Sequence, residues 1–291
     1  DLDGIAHDRA ADLVALGEFT GCAAHLGVDL GPPPEIALEQ RQNDVDTLIH
    51  AVAVDHVGDC DGAGVDHGIR RTVVFVVEFD RVEDDLVRRF VLSPRIGKLA
   101  ADLLGVPAVR LYHDNVMSKE PGCGRTPWHN DDHHFPLATD DVVTVWIPLQ
   151  QTPIEMGPLA FAQPLTTHGL VEGIPFSPSD TSYDQRVGET FAREKVSVNE
   201  GSFDLGEISF HHNKNFHTAG PNRTERSRVV LSNTYFADGA RLTRNPTMIS
   251  GDWKKFAPGA QPGEKLATEV NPICWPAMID IGRPVDNLDQ T

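Results

Sequence analysis

From Pro107 onward, apolar residues recur in short runs of strand length: VRLYHDNVMS, WHNDDHHF, VVTVWIPL, PLAFAQPL, EISFHH and RVVLSNTYF. Gly, Pro, Asn and Asp separate them. Short strands at regular spacing, with turn signals between, predict a β-sandwich or jelly-roll barrel. Upstream, residues 83–104 carry apolar positions at helical spacing, interrupted at Pro94 and ended by Gly105. That pattern predicts two short helices or one broken helix. Residues 1–80 are acidic and rich in Ala, Val and Asp, with helix-like stretches near 8–28 and 35–53 and a β-branched run at 72–77. The chain therefore divides into an N-terminal region, 1–82, expected to pack on the barrel, and a barrel domain, 83–291. Within the latter, residues 171–195 break the strand rhythm with Pro, Ser, Asp and Gly, as a lid loop does. The Pro- and Gly-rich tail after Asp238 is expected to wrap the barrel.

Composition narrows the partners. With 43 acidic and 25 basic residues the net charge is −18, which repels DNA and anionic membrane surfaces at long range and disfavours a coenzyme A thioester. No apolar run approaches the roughly 20 residues of a membrane span. The first thirty residues lack a basic start followed by an apolar stretch, so no signal peptide is expected. Cys22, Cys60, Cys123 and Cys274 are widely spaced with no CxxC, indicating reduced thiols in a cytoplasmic protein and neither a zinc knuckle nor a disulfide framework.

Candidate chemistry begins with the 13 His, which cluster at 129, 133 and 134 and again at 211, 212 and 217. If Trp128-His-Asn-Asp131 ends a strand, His129 and Asp131 share a face while Asn130 and Asp132 point away. One further His would complete a two-His-one-carboxylate triad, the set that leaves three positions open on iron(II). His211, His212 and His217 are the candidates. Eleven residues after His217 comes Arg228, whose guanidinium fork suits a dicarboxylate end.

Residues 107–238 resemble the phytanoyl-CoA dioxygenase family. The likeness lies in Val109-Arg-Leu-Tyr, Met117-Ser-Lys-Glu-Pro-Gly, Trp128-His-Asn-Asp, Phe135-Pro and Val145-Trp-Ile-Pro-Leu. It continues in Met156-Gly-Pro-Leu, Thr167-His and His217-Thr-Ala-Gly-Pro-Asn with Arg228. The resemblance implies a double-stranded β-helix (jelly-roll, cupin-like) barrel, mainly β with flanking helices. It implies iron on His129, Asp131 and His217, the 2-oxoglutarate carboxylate on Arg228, and Met117 and Trp146 beside that co-substrate. Where the family often has Ser two residues after the distal His, this chain has Ala219. Thr218, Ser232 or Thr234 is expected to compensate. The usual Gly-Ser-His appears as Thr166-Thr-His168, and residues 1–80 match the family's N-terminal helices poorly. His133, His134, His211 and His212 are read as supporting residues, Asn222 as a turn former, and Lys119 as part of a loop entered at Pro121-Gly122.

By resemblance, the expected activity is oxidation of an unactivated C–H bond of a small molecule, using Fe(II), O2 and 2-oxoglutarate and releasing succinate. Related halogenases carry a small residue in place of the carboxylate, so Asp131 argues for hydroxylation or a desaturating, ring-forming or epimerising variant. A cupin-like metal enzyme without 2-oxoglutarate would share the triad but not need Arg228; a silent ligand-binding barrel would need neither. The lid segment carries Arg186, Arg193 and Lys195 against Glu172, Asp180, Asp184, Glu189 and Glu194, with Phe176, Tyr183 and Phe191 as aromatics. A compact, partly apolar substrate with at most one or two anionic groups is the expectation.

Overall fold

A computed structural model describes residues 74–78, 85–176, 181–248 and 251–276. The helix-like stretches near 8–28 and 35–53 lie outside the described residues. In chain order the elements are β1 (Val74–Glu78), α1 (Asp85–Val91), α2 (Pro94–Leu104), β2 (Val109–Lys119), β3 (Thr126–His129) and β4 (Val142–Pro148). Next come β5 (Leu159–Gln163), α3 (His168–Val171), α4 (Thr181–Arg193), β6 (Ser197–Glu200), β7 (Ser209–His212), β8 (His217–Ala219), β9 (Arg228–Ala237) and β10 (Ile273–Trp275). Pro94 does start a second helix, and Gly105 ends it in the left-handed conformation at φ 68°.

The strands form two antiparallel sheets, one in the order β1-β2-β9-β4-β7 with β10 also on β2, the other in the order β3-β8-β5-β6. The central strands β4 and β9 of the larger sheet are buried on both faces, with apolar residues toward the helices and several polar ones, Thr144, Ser232 and Thr234 among them, toward the cavity. On β4, Val143, Val145 and Ile147 pack outward with Val87, Val91, Ala100 and Ala101 of the two helices. Thr144 and Trp146 alternate inward to a cavity between the sheets.

β2 changes phase part-way. Leu111 pairs with Tyr235 but His113 with Thr234, so Tyr112 is an extra residue. Before this bulge Val109 and Leu111 face the helices; after it Val116 does, and His113, Asn115 and Met117 turn into the cavity. Tyr112 itself joins an aromatic cluster with Phe135, Phe236 and Phe256.

The segment 171–195 corrects the expected lid loop. It contains the 13-residue helix α4, whose Tyr183, Val187 and Phe191 recur at helical spacing and are buried with Trp128, Ala162 and Phe216. Flanking prolines and a polar outer face hide that stripe in the sequence. Tyr183 and Phe191 therefore belong to the core instead of facing a ligand, while Phe176 stacks on His133 with ring centroids 5.3 Å apart. α4 also ties down β3, since the backbone N–H of Trp128 donates to Asp184 Oδ1 at 2.7 Å. Among the described residues no helix is long and apolar enough to cross a membrane.

Candidate metal centre

Two imidazoles meet across the small sheet, where His129 at the end of β3 pairs directly with His217 at the start of β8. Each ring is anchored by its own backbone: His129 Nδ1 lies 2.8 Å from the Pro127 carbonyl and His217 Nδ1 2.9 Å from the Asn215 carbonyl. A carbonyl oxygen only accepts, so both Nδ1 atoms carry the proton and both Nε2 atoms keep a lone pair for a ligand.

Asp131 joins them by a route that strand alternation does not describe. β3 stops at His129, and Asp131 opens the 3₁₀ turn Asp131–His134. The backbone N–H groups of Asp131 and Asp132 both donate to the Asn213 carbonyl, at 2.8 and 3.1 Å. Asn213 Nδ2 donates to Asp132 Oδ1 at 2.9 Å, so the loop after β7 folds the turn over the histidines. Asp131 Oδ1 then lies 3.6 Å from His217 Nε2 and 4.0 Å from His129 Nε2. The donor atoms of the three residues all fall within 4.8 Å of one another.

Burial works against the Asp131 carboxylate, but the imidazoles of His217, His211 and His129 outweigh it and hold the group well below the usual carboxylate range. His217 is held well below the usual imidazole value, first by burial and then by His129. An ionised carboxylate beside a histidine held neutral is the state in which such residues accept a cation. Two nitrogens and one oxygen suit iron(II), as in the non-haem oxygenase triad.

The same cavity, about 430 Å³, runs from this cluster to Arg228. Arg228 is 4% exposed, its guanidinium carbon lying 5.3 Å from the centre of the Trp146 ring. Nη1 donates to the Gly157 carbonyl, whereas Nε is buried without a hydrogen-bond partner. Among the described residues no carboxylate pairs with Arg228. Burial brings its pKa down to about 10, so it stays charged at neutral pH. A buried guanidinium with an unused donor and no anion is an unfavourable arrangement by itself, and an entering carboxylate would relieve it. Gly157 is required here: it sits at φ 73°, and a Cβ would lie 2.2 Å from the Gly220 carbonyl.

The sequence profile of the phytanoyl-CoA dioxygenase (PhyH) family matches residues 37–230, more than half of the chain. The chain belongs to that family. The match begins well upstream of Pro107, where the legible motifs start. A relative named "Probable alpha-ketoglutarate-dependent hypophosphite dioxygenase" from Stutzerimonas stutzeri is 28% identical over 176 residues, 56% of this chain and 57% of the relative. The chain thus spans less than two thirds of that relative's length. The L-proline trans-4-hydroxylase of Streptomyces griseoviridis is 28% identical over 196 residues, 60% of this chain and 73% of the relative. Among solved structures, the non-heme alpha-ketoglutarate-dependent carbocyclase SnoK from nogalamycin biosynthesis shares the fold, with a TM-score of 0.60 and 20% identity over 83% of this chain and 88% of SnoK. The donor set and the buried guanidinium of this PhyH-family chain fit iron and 2-oxoglutarate.

In this PhyH-family member Met117, Trp146, Ser232 and Thr234 line the cavity together with Arg228. Thr218 does not, which corrects its assignment to the co-substrate. His217 and Ala219 point inward, so alternation along β8 turns Thr218 away, and its hydroxyl donates to the Thr126 carbonyl at 2.5 Å. Of the neighbouring histidines, His134 and His211 line the cavity. His212 is turned to the loop, its Nδ1 accepting from the backbone N–H of Lys214 at 3.1 Å. Asn222 is a turn organiser, donating to the Lys119 and Arg226 carbonyls and accepting from Thr224.

Sequence reasoning missed His113, Asn115, Thr126 and Thr144, all on the cavity wall. It also misplaced Lys119, which is the fully buried last residue of β2 and the cross-strand partner of Arg228. Its Nζ donates to the carbonyls of Gly220 at 2.6 Å and Ala219 at 3.4 Å and to Thr126 Oγ1 at 3.3 Å. Burial, and then the charge of Arg228, push this amine down to about 7. The signal for Thr144 was its position two residues before Trp146. The β2 residues needed knowledge of the bulge.

Proposed function

We propose that His129, Asp131 and His217 hold iron(II), that Arg228 holds the distal carboxylate of 2-oxoglutarate, and that the enzyme hydroxylates a C–H bond of a compact small molecule. The observation carrying this reading is that three convergent metal donors and an anion-seeking buried guanidinium share one cavity. Iron(II) and 2-oxoglutarate, when bound, supply the oxidation: substrate C–H, O2 and 2-oxoglutarate become C–OH, succinate and carbon dioxide. The chain's share is placement and shielding. His129 and His217 present Nε2 because backbone carbonyls hold their Nδ1 protons, and Asp131 presents Oδ1. Trp146 backs Arg228, and the two packed sheets exclude water from the buried end of the cavity.

Two features support a small substrate that is not a coenzyme A thioester. Arg228 is the only Arg or Lys among the described residues lining the cavity, and this reading gives it to the co-substrate. The remaining wall combines His113, Asn115 and His134 with Phe135, Met248 and Phe256, a mixture suited to a partly apolar molecule with a few hydrogen-bonding groups. The proline hydroxylase and hypophosphite dioxygenase relatives are named for small substrates, in keeping with this. The test is oxygen-dependent succinate formation across a panel of amino acids, secondary metabolites and acyl-CoA thioesters. Product mass separates hydroxylation, which adds one oxygen atom, from ring closure or desaturation, which removes two hydrogens, and from epimerisation, which changes nothing. Efficient turnover of an acyl-CoA would refute the substrate class, and succinate formation that no substrate stimulates would refute the activity.

A further inference from the structure

A carboxylate can bind a metal through one oxygen or both, and the wall behind Asp131 bears on which. Thr144 on β4 and His211 on β7 are direct cross-strand partners, and both face the cavity. Both reach the same atom: Thr144 Oγ1 donates to Asp131 Oδ2 at 2.8 Å, and His211 Nε2 lies 3.1 Å from it. The Thr144 hydroxyl has Thr234 Oγ1 at 3.3 Å as a second neighbour, which donates to Thr144 while Thr144 gives its own proton to the carboxylate. Oδ1, by contrast, is the oxygen nearest the Nε2 atoms of His129 and His217.

The tautomer of His211 follows from its surroundings. The residue is 3% exposed, its ring packed near Phe161 and His217 with centroids 5.5 and 4.5 Å away. Its Nδ1 is buried with no hydrogen-bond partner. A proton on Nδ1 would leave a buried N–H unsatisfied and set the Nε2 lone pair against the carboxylate lone pairs. With the proton on Nε2, one weaker acceptor is left bare and a charge-assisted bond is made. His211 is therefore in the opposite tautomer to His129 and His217. Its Nε2 cannot also serve as a ligand, although the ring lies within the cluster.

We infer that His211, together with Thr144, is a positioning residue that occupies Oδ2 of Asp131 and so limits this carboxylate to a single metal-facing oxygen. The inference rests on the triad reading proposed above. Its consequence is functional, because a two-oxygen carboxylate would take one of the three positions that the co-substrate and O2 require. Removing the donors frees Oδ2 to turn toward the metal.

Cobalt(II), added to the full chain in place of iron, reads this out without turnover. His211→Leu and Thr144→Val should each change the visible absorption of the cobalt(II) protein, which reports coordination number. Each should also weaken 2-oxoglutarate binding to that protein, since loss of an outer hydrogen bond to a metal ligand costs about 10- to 100-fold in metal affinity or activity. His211→Gln should restore both, since its amide Nε2 supplies a donor at similar reach. A folded His211→Leu protein with wild-type absorption and 2-oxoglutarate affinity would overturn the inference, as would a defect confined to the KM of the organic substrate. Failure of His211→Gln to rescue a perturbed His211→Leu would also overturn it, by assigning the role to ring packing. Should His211→Leu not fold, Thr144→Val, a nearly isosteric change, decides alone. A wild-type protein that binds no cobalt(II) would overturn the metal-site reading and this inference together, whereas wild-type binding with undisturbed variants overturns this inference alone.

Discussion

Replacing Arg228 with methionine removes a buried charge while keeping a long apolar side chain against Trp146. One of its donors is committed to the Gly157 carbonyl, and Nε has no partner, which leaves a fork for one carboxylate. A charge-assisted pair of this kind contributes about 2–4 kcal/mol, or roughly 30- to 1000-fold in affinity, with little salt screening at a site this buried. In the ligand-free protein the change should be far milder, because among the described residues no carboxylate balances Arg228. The two effects separate in anaerobic chemical denaturation of metal-loaded protein with and without 2-oxoglutarate. At a concentration 100 times the wild-type Kd, the co-substrate stabilises the wild type by about 2.7 kcal/mol. If Kd rises about 100-fold, the same concentration stabilises the variant by only about 0.4 kcal/mol. Equal stabilisation of the two proteins would refute the reasoning and turn attention to the exposed Arg226 or to an enzyme that does not use 2-oxoglutarate.

Thr218→Val should leave 2-oxoglutarate affinity unchanged while lowering stability by about 1 kcal/mol for the lost bond to the Thr126 carbonyl; a large rise in Kd would return Thr218 to the cavity. Lys119 is charged in an unfolded chain up to about 10.5 but in the fold only up to about 7. Between those values folding expels a proton, so stability rises with pH, by at most about 1.4 kcal/mol per unit, and below pH 7 the penalty is present in full. Lys119→Met should lack that rise when denaturation is compared at pH 7 and 9, and parallel wild-type and variant profiles would contradict it. Phe191→Ala, by emptying the contact between α4 and Trp128, should destabilise by about 3–5 kcal/mol; a loss under 1 kcal/mol in urea denaturation would mean that α4 is not part of the core.

Much of the barrel is legible because its strands are short, bounded by turn residues and rich in β-branched and aromatic residues, as in Val142–Pro148 and Arg228–Ala237. The donor residues are legible for a different reason: His129 and Asp131 are local, and the spacing from His217 to Arg228 is set by the single connection that carries the chain from β8 in one sheet to β9 in the other. What escapes is set by distant partners. The extra residue at Tyr112 appears only as a register shift against β9, yet it decides that His113 and Asn115 face the cavity. The turn that delivers Asp131 depends on the carbonyl of Asn213, more than eighty residues later. α4 carries its apolar residues on one narrow stripe amid polar ones, and its flanking prolines read as loop. Lys119 looks like a surface residue in sequence because nothing local announces the three acceptors that enclose it.

The most direct test is anaerobic titration of the iron(II) protein with 2-oxoglutarate, following the visible charge-transfer band that forms when the co-substrate chelates iron. The band should appear in the wild type and saturate at one 2-oxoglutarate per iron, and be absent from folded His129→Ala, Asp131→Ala and His217→Ala proteins. A wild-type protein that binds iron but shows no band, or a band that survives the loss of His217, would contradict the assignment of this cavity.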